Sequence, residues 1–167
     1  MPSAIEPPSL IVRTGERVAG RAELVDFAVT LQRRVTGRRT FTCLFTNDTE
    51  LRGLNRRFRG KNKATDVLSF PNTAPLPHGR GSVRSRARKQ AVRGSVGDIA
   101  VSLDHARAQA RDFGHRVGDE LRILMLHGVL HLLGMDHEAD SGEMARAEAA
   151  WRKELRLPAG LIERVQV

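Results

Sequence analysis

The sequence predicts an α+β fold: a small mixed β-sheet of three to four strands packed with about five helices, one of them central and buried. Three observations lead there. Short runs rich in β-branched and aromatic residues, at Leu10–Val12, Thr40–Thr46, Val67–Phe70 and Ile99–Val101, alternate with longer stretches of helical periodicity. The segment from Asp119 to Leu133 carries Leu121, Ile123, Leu124, Met125, Leu126, Val129, Leu130, Leu132 and Leu133, which leave almost no polar face and demand burial on all sides. Finally, 40% hydrophobic residues in 167 support one core, so residues 1–167 are read as a single domain.

Each element has a local reason. After the apolar strand Leu10–Val12, the stretch Arg21–Val35 places Ala22, Val25, Ala28, Val29 and Leu31 near one helical stripe, and Gly37 is placed to end it. Thr40–Thr46 then alternates as a strand. Asn47 or Asp48 caps a helix running to about Phe58, with Leu51 and Leu54 inward and Gly60 as its stop. Val67–Phe70 is a strand ended by Pro71, and Ile99–Val101 its hairpin partner or neighbour. Ser102 caps a helix through Phe113, closed by Gly114. The acidic pair Asp119-Glu120 opens the buried helix, Gly134 closes it, and Ser141–Leu155 forms a last amphipathic helix carrying Trp151.

Residues 72–95 interrupt this pattern with Pro, Gly, Ser and Arg, and read as a flexible basic insertion without regular structure. The tetrad Arg80-Gly81-Ser82-Val83 recurs thirteen residues later, across its end, as Arg93-Gly94-Ser95-Val96, which suggests a short duplication. Charge is concentrated there as well. Of the net +9, six charges fall between His78 and Gly94 without a single acid, leaving 22 basic against 19 acidic residues elsewhere. Such a patch suits a nucleic-acid backbone.

Absences narrow the function further. The N-terminal residues show no basic stretch followed by a long apolar one, and nowhere do about 18 apolar residues run together, so a soluble cytoplasmic protein with no membrane partner is expected. Cys43 is the only cysteine and reads as a buried strand residue, which excludes disulfides and thiolate metal clusters. No nucleotide cofactor is expected.

The chemistry lies in Met125–Glu138, where three of the six histidines fall within eleven residues. His127 and His131 are four apart, so a helix puts both imidazoles on one face, and a reversal at Gly134 returns His137 to the same point. Three ligands and one open position describe a catalytic zinc site more than a closed structural one, and an apolar helix offers two imidazoles few other partners. This spacing also fits metalloproteases of the metzincin kind. Those place a glutamate directly after the first histidine as general base; Gly128 occupies that position here and has no side chain to do so. A glycine inside a helix costs about 1 kcal/mol relative to alanine, which suggests a close approach by substrate or by another backbone.

The run His127-Gly128-Val129-Leu130-His131-Leu132-Leu133-Gly134-Met135-Asp136-His137 resembles the His-Gly-x-Leu-His-Leu-x-Gly-x-Asp-His signature of the YbeY family, bacterial single-strand-specific endoribonucleases of ribosomal RNA maturation. Phe58–Pro71 is similar to that family's Arg-Gly-Lys-Asp-Lys-Pro-Thr-Asp-Val-Leu-Ser-Phe-Pro block, and Gly97-Asp98-Ile99 to its Gly-Asp-Ile strand. Asn62 and Ala64 depart from the commoner Asp and Pro, and the arginine-rich segment is longer than usual.

The resemblance implies one Zn2+ per chain held by His127, His131 and His137, with Arg59 as the functional arginine and single-stranded RNA, ribosomal RNA and ribosomal particles as partners. It implies late processing of the small-subunit rRNA 3′ end and a role in ribosome quality control. Arg59 would grip phosphate oxygens with its guanidinium fork, and Lys61 and Lys63 would add point charges along the RNA. Asp136, beside His137, would orient a ligand imidazole. The general base, and the choice between water and the RNA 2′-hydroxyl as nucleophile, stay open. Two other readings remain beside this one: a metal-stabilised ribosome-assembly factor that binds RNA without cutting it, and a metalloprotease-like hydrolase.

Overall fold

The computed structural model describes residues 5–13, 15, 18–72 and 94–165. Four strands form one mixed sheet: β1 (Ser9–Val12), β2 (Thr40–Thr46), β3 (Val67–Pro71) and β4 (Ser95–Ser102), in the order β1-β2-β4-β3. β1 and β4 both run parallel to β2, while β3 closes the sheet antiparallel to β4, with Leu68 opposite Ala100 and Pro71 opposite Gly97. Pro71 sits where a proline is tolerated, at the end of an edge strand. The helices are α1 (Arg21–Arg34), α2 (Asp48–Arg59), α3 (Leu103–Phe113), α4 (Val117–Leu132) and α5 (Glu143–Glu154), followed by a short α6 (Leu161–Val165).

Strand alternation divides the interior into two layers. Phe41, Cys43 and Phe45 of β2 and Val96, Ile99 and Val101 of β4 belong to the main core, with Leu24, Ala28 and Leu31 of α1 and nearly the whole of α4. On the other side Leu44, Leu68 and Ala100 meet Leu51 and Leu54 of α2. Helix α4 is buried from Glu120 to Leu132 save Arg122 and His131, so the central helix inferred from its composition is where the sequence placed it.

The caps follow local chemistry. The Asn47 side chain accepts from Glu50 N at 3.0 Å and the Ser102 hydroxyl from His105 N at 3.1 Å, each satisfying one free donor at a helix start. Gly60 and Gly114 end their helices in the left-handed conformation, at φ 68° and 70°.

One boundary differs from expectation. β4 begins at Ser95, which is therefore not the end of an irregular insertion, and the next residue, Val96, is fully buried. Gly97 hides this in the sequence: it reads as a turn residue, yet at φ 134° it sits within the strand, where a Cβ would lie 2.3 Å from the Phe70 carbonyl oxygen. The rest of the expected insertion, residues 73–93, lies outside the described residues.

Candidate metal centre

Two turns of backbone assemble the three histidines. His127 and His131 occupy successive turns near the end of α4, which closes with Gly134 N donating to His131 O at 3.0 Å and Met135 N to Leu130 O at 3.2 Å. Gly134 takes φ 90°, a value that favours glycine, and this reverses the chain. Asp136 then starts a second turn, its carbonyl accepting from Ala139 N and Asp140 N, which fixes His137 beside the other two. The ligand nitrogens of all three lie within 4.8 Å of one another.

The hydrogen bonds on the far side of each ring decide which nitrogen faces inward. His131 Nδ1 is 2.9 Å from the Met135 carbonyl, which can only accept, so Nδ1 carries the proton and Nε2 the lone pair. His127 Nδ1 lies 2.6 Å from Oε2 of Glu148, a buried carboxylate on α5, and the same logic gives Nε2 its lone pair. These two Nε2 atoms face each other at 3.1 Å. Two lone pairs at that distance repel unless a cation lies between them. Burial, with the imidazoles of His127 and His137 beside it, pushes His131 down to about 4, so a proton is a poor occupant at neutral pH. Three convergent imidazole nitrogens, with His137 at the exposed side, fit the ligand set of a metal ion.

Arg59, the last residue of α2, shares a cleft of about 790 Å³ with the histidines, walled by the edge strand β3 through Val67 and Ser69. Among the described residues Arg59 has no hydrogen bond or ion pair, so its guanidinium is uncommitted. Arg164 lines the same cleft but is fully engaged: both Nη atoms bind the buried Glu120 carboxylate at 2.8 and 2.9 Å, and Nε binds Ala159 O. Lys61 and Lys63 are exposed and lie outside the cleft lining. Their loop is pinned from within, since buried Asn55 donates to the Lys63 carbonyl at 2.8 Å.

Asp136 also lines the cleft, where its carboxylate accepts from Glu138 N at 3.0 Å. The carboxylate that is hydrogen-bonded to a site imidazole belongs to Glu148, which the sequence reading missed. Its one local signal is position: it stands four residues after buried Met144, on the inward face of α5, where an acid has no reason to be unless paired. The tight approach suggested by Gly128 is real and comes from the sheet, since a Cβ there would meet Ile99 at 3.0 Å and Val67 at 3.2 Å. His105 and His115 lie outside the lining, paired to Asp48 and Glu120. Cys43 is wholly buried, which raises its thiol pKa and leaves it protonated and inert.

An α+β fold with three convergent histidines, a carboxylate behind one of them and an arginine in the same cleft places the chain among proteins whose site can hold a metal ion. Sequence comparison makes the assignment specific. The pattern described as endoribonuclease YbeY matches residues 18–156, and the chain belongs to that family. It is 48% identical to the endoribonuclease YbeY of Solibacter usitatus over 98% of this chain and 99% of that one. With the protein of the same name from Koribacter versatilis it shares 46% over 89% of this chain and 88% of the other. The fold also matches the solution structure of TM1509 from Thermotoga maritima, with a TM-score of 0.53 and 23% identity over 88% of this chain and 91% of that one.

Proposed function

We propose that this protein is a single-domain, zinc-dependent endoribonuclease that cuts single-stranded RNA during ribosomal RNA maturation, in late processing of the small-subunit 3′ end and in ribosome quality control. The observation that carries the reading is the pair of opposed Nε2 lone pairs completed by His137, in one cleft with an uncommitted Arg59. His127, His131 and His137 would hold the ion, and a zinc ion there would supply Lewis-acid chemistry to the phosphodiester.

The chain's own groups do the rest. Arg59 grips two phosphate oxygens with its fork and stabilises the charge that grows on them. Lys61 and Lys63 extend the positive potential along the RNA backbone beyond the cleft. Asp136, already hydrogen-bonded to Glu138 N, holds the turn that presents His137. No helix among the described residues is long and apolar enough to cross a membrane, and the proposed setting is the cytoplasm with ribosomal particles.

The test is cleavage of matched single- and double-stranded RNA by purified protein, with and without a chelator. Chelator-sensitive cutting of the single strand alone is expected. RNA binding without cutting would favour a non-catalytic assembly factor.

A further inference from the structure

Helix α6 and the residue before it lie beyond the span that matches the family pattern, yet they touch the metal centre through one carboxylate. Glu148 is bonded at both oxygens: Oε2 to His127 Nδ1 at 2.6 Å, and Oε1 to the backbone N–H of Ile162 at 2.9 Å. Gly160 packs directly on that carboxylate, where an added Cβ would lie 2.3 Å from Oε1 and 2.9 Å from Cδ. The segment is anchored in turn by Arg164, whose fork binds Glu120, a residue of α4 that is wholly buried and also paired to His115. Arg164 lies over the Phe113 ring at 4.3 Å as well.

We propose that the C-terminal segment Gly160–Arg164 is a positioning element of the metal centre, which fixes Glu148 and through it the tautomer and direction of His127. The geometry requires both ends. With its second oxygen held by Ile162 N, the carboxylate cannot swing away from the imidazole, so His127 keeps its proton on Nδ1 and its lone pair inward. Gly160 is needed because no side chain fits beside the carboxylate. The Arg164–Glu120 pair ties the segment to α4, the helix that carries His127.

The inference rests on the three-histidine reading, and zinc affinity of the full-length protein, measured by competition with a chromophoric chelator, separates the two. Failure of the unaltered protein to bind zinc would remove the site itself. If it binds, Gly160→Ala should weaken zinc affinity about 10- to 100-fold, the range seen when a group behind a metal-bound histidine is disturbed. Made on a Glu148→Ala background, the same change should have no further effect, because it acts only through that carboxylate. The paired change Glu120→Gln/Arg164→Gln, which leaves no buried charge alone, should also weaken binding and reads the link from its other end. Unchanged affinity in Gly160→Ala, or a loss that adds in full to that of Glu148→Ala, would overturn the proposal; unchanged affinity in the paired variant would overturn the anchoring role of Arg164.

Discussion

The hydroxyl of Ser69 donates to the carbonyl of Gly128 at 3.0 Å, joining the edge strand β3 to the helix that carries the metal ligands. This contact needs the helix to lie close against the sheet, so close that a Cβ at position 128 would sit 3.0 Å from Ile99 and 3.2 Å from Val67. Gly128→Ala would gain up to about 1 kcal/mol in helix propensity and lose about 1–3 kcal/mol to overpacking against Ile99 and Val67. A net loss of about 1 kcal/mol in denaturant unfolding is expected. Gly128→Glu, which restores the metzincin residue, should cost far more and yield no protease activity.

Arg59 is exposed and has no partner among the described residues, so its replacement should barely alter stability, within about 0.5 kcal/mol. Arg59→Ala should lower the single-turnover RNA cleavage rate by about 100-fold, as removal of a transition-state charge partner does. Arg59→Lys keeps the charge without the fork and should fall between. Unchanged rates in both would take this residue out of the chemistry.

The metal-free protein should weaken on acidification. His131 titrates near 4 in the fold against an ordinary 6.5, because burial and the other two imidazoles disfavour its charge. The unfolded chain therefore takes up the proton first, and the stability present above about pH 6.5 is lost as pH falls towards 4. Melting temperatures of chelator-stripped protein across that range should show the slope, and His131→Asn should flatten it. A slope unchanged in the variant would assign it elsewhere.

The repeated tetrad allows a deletion that preserves the sheet. Removing Arg84 to Val96 joins Val83 to Gly97, so Ser82 and Val83 replace Ser95 and Val96 at the start of β4, including the buried valine. Five cations are lost and the net charge falls from +9 to +4. Folding and zinc content should survive. The dependence of log affinity for single-stranded RNA on log salt should flatten by roughly 0.7 for each phosphate contact removed. Loss of zinc binding would show that the segment supports the core.

What could be read from the sequence was what is decided locally. Ser102 and Asn47 cap helices through atoms three residues away, and His127, His131 and His137 form a cluster because helix pitch and one reversal at Gly134 dictate it. The full length of β4 was not legible, because Gly97 mimics a turn and its strand conformation is imposed by pairing with Pro71. Nor was Glu148, which lies 21 residues from His127 and acquires meaning only when α5 packs on α4. Arg164 shows the reverse case: a cation in the cleft that looks available until its bonds to Glu120 are counted.

The most direct test is to titrate zinc into chelator-stripped protein while following cleavage of a single-stranded RNA in the same sample. Activity should start near zero, rise in proportion to added metal and saturate at about one equivalent per chain, and His131→Ala should remain inactive throughout. Full cleavage by the stripped protein, or a titration indifferent to loss of His131, would contradict the assignment of these three histidines as the centre of the chemistry.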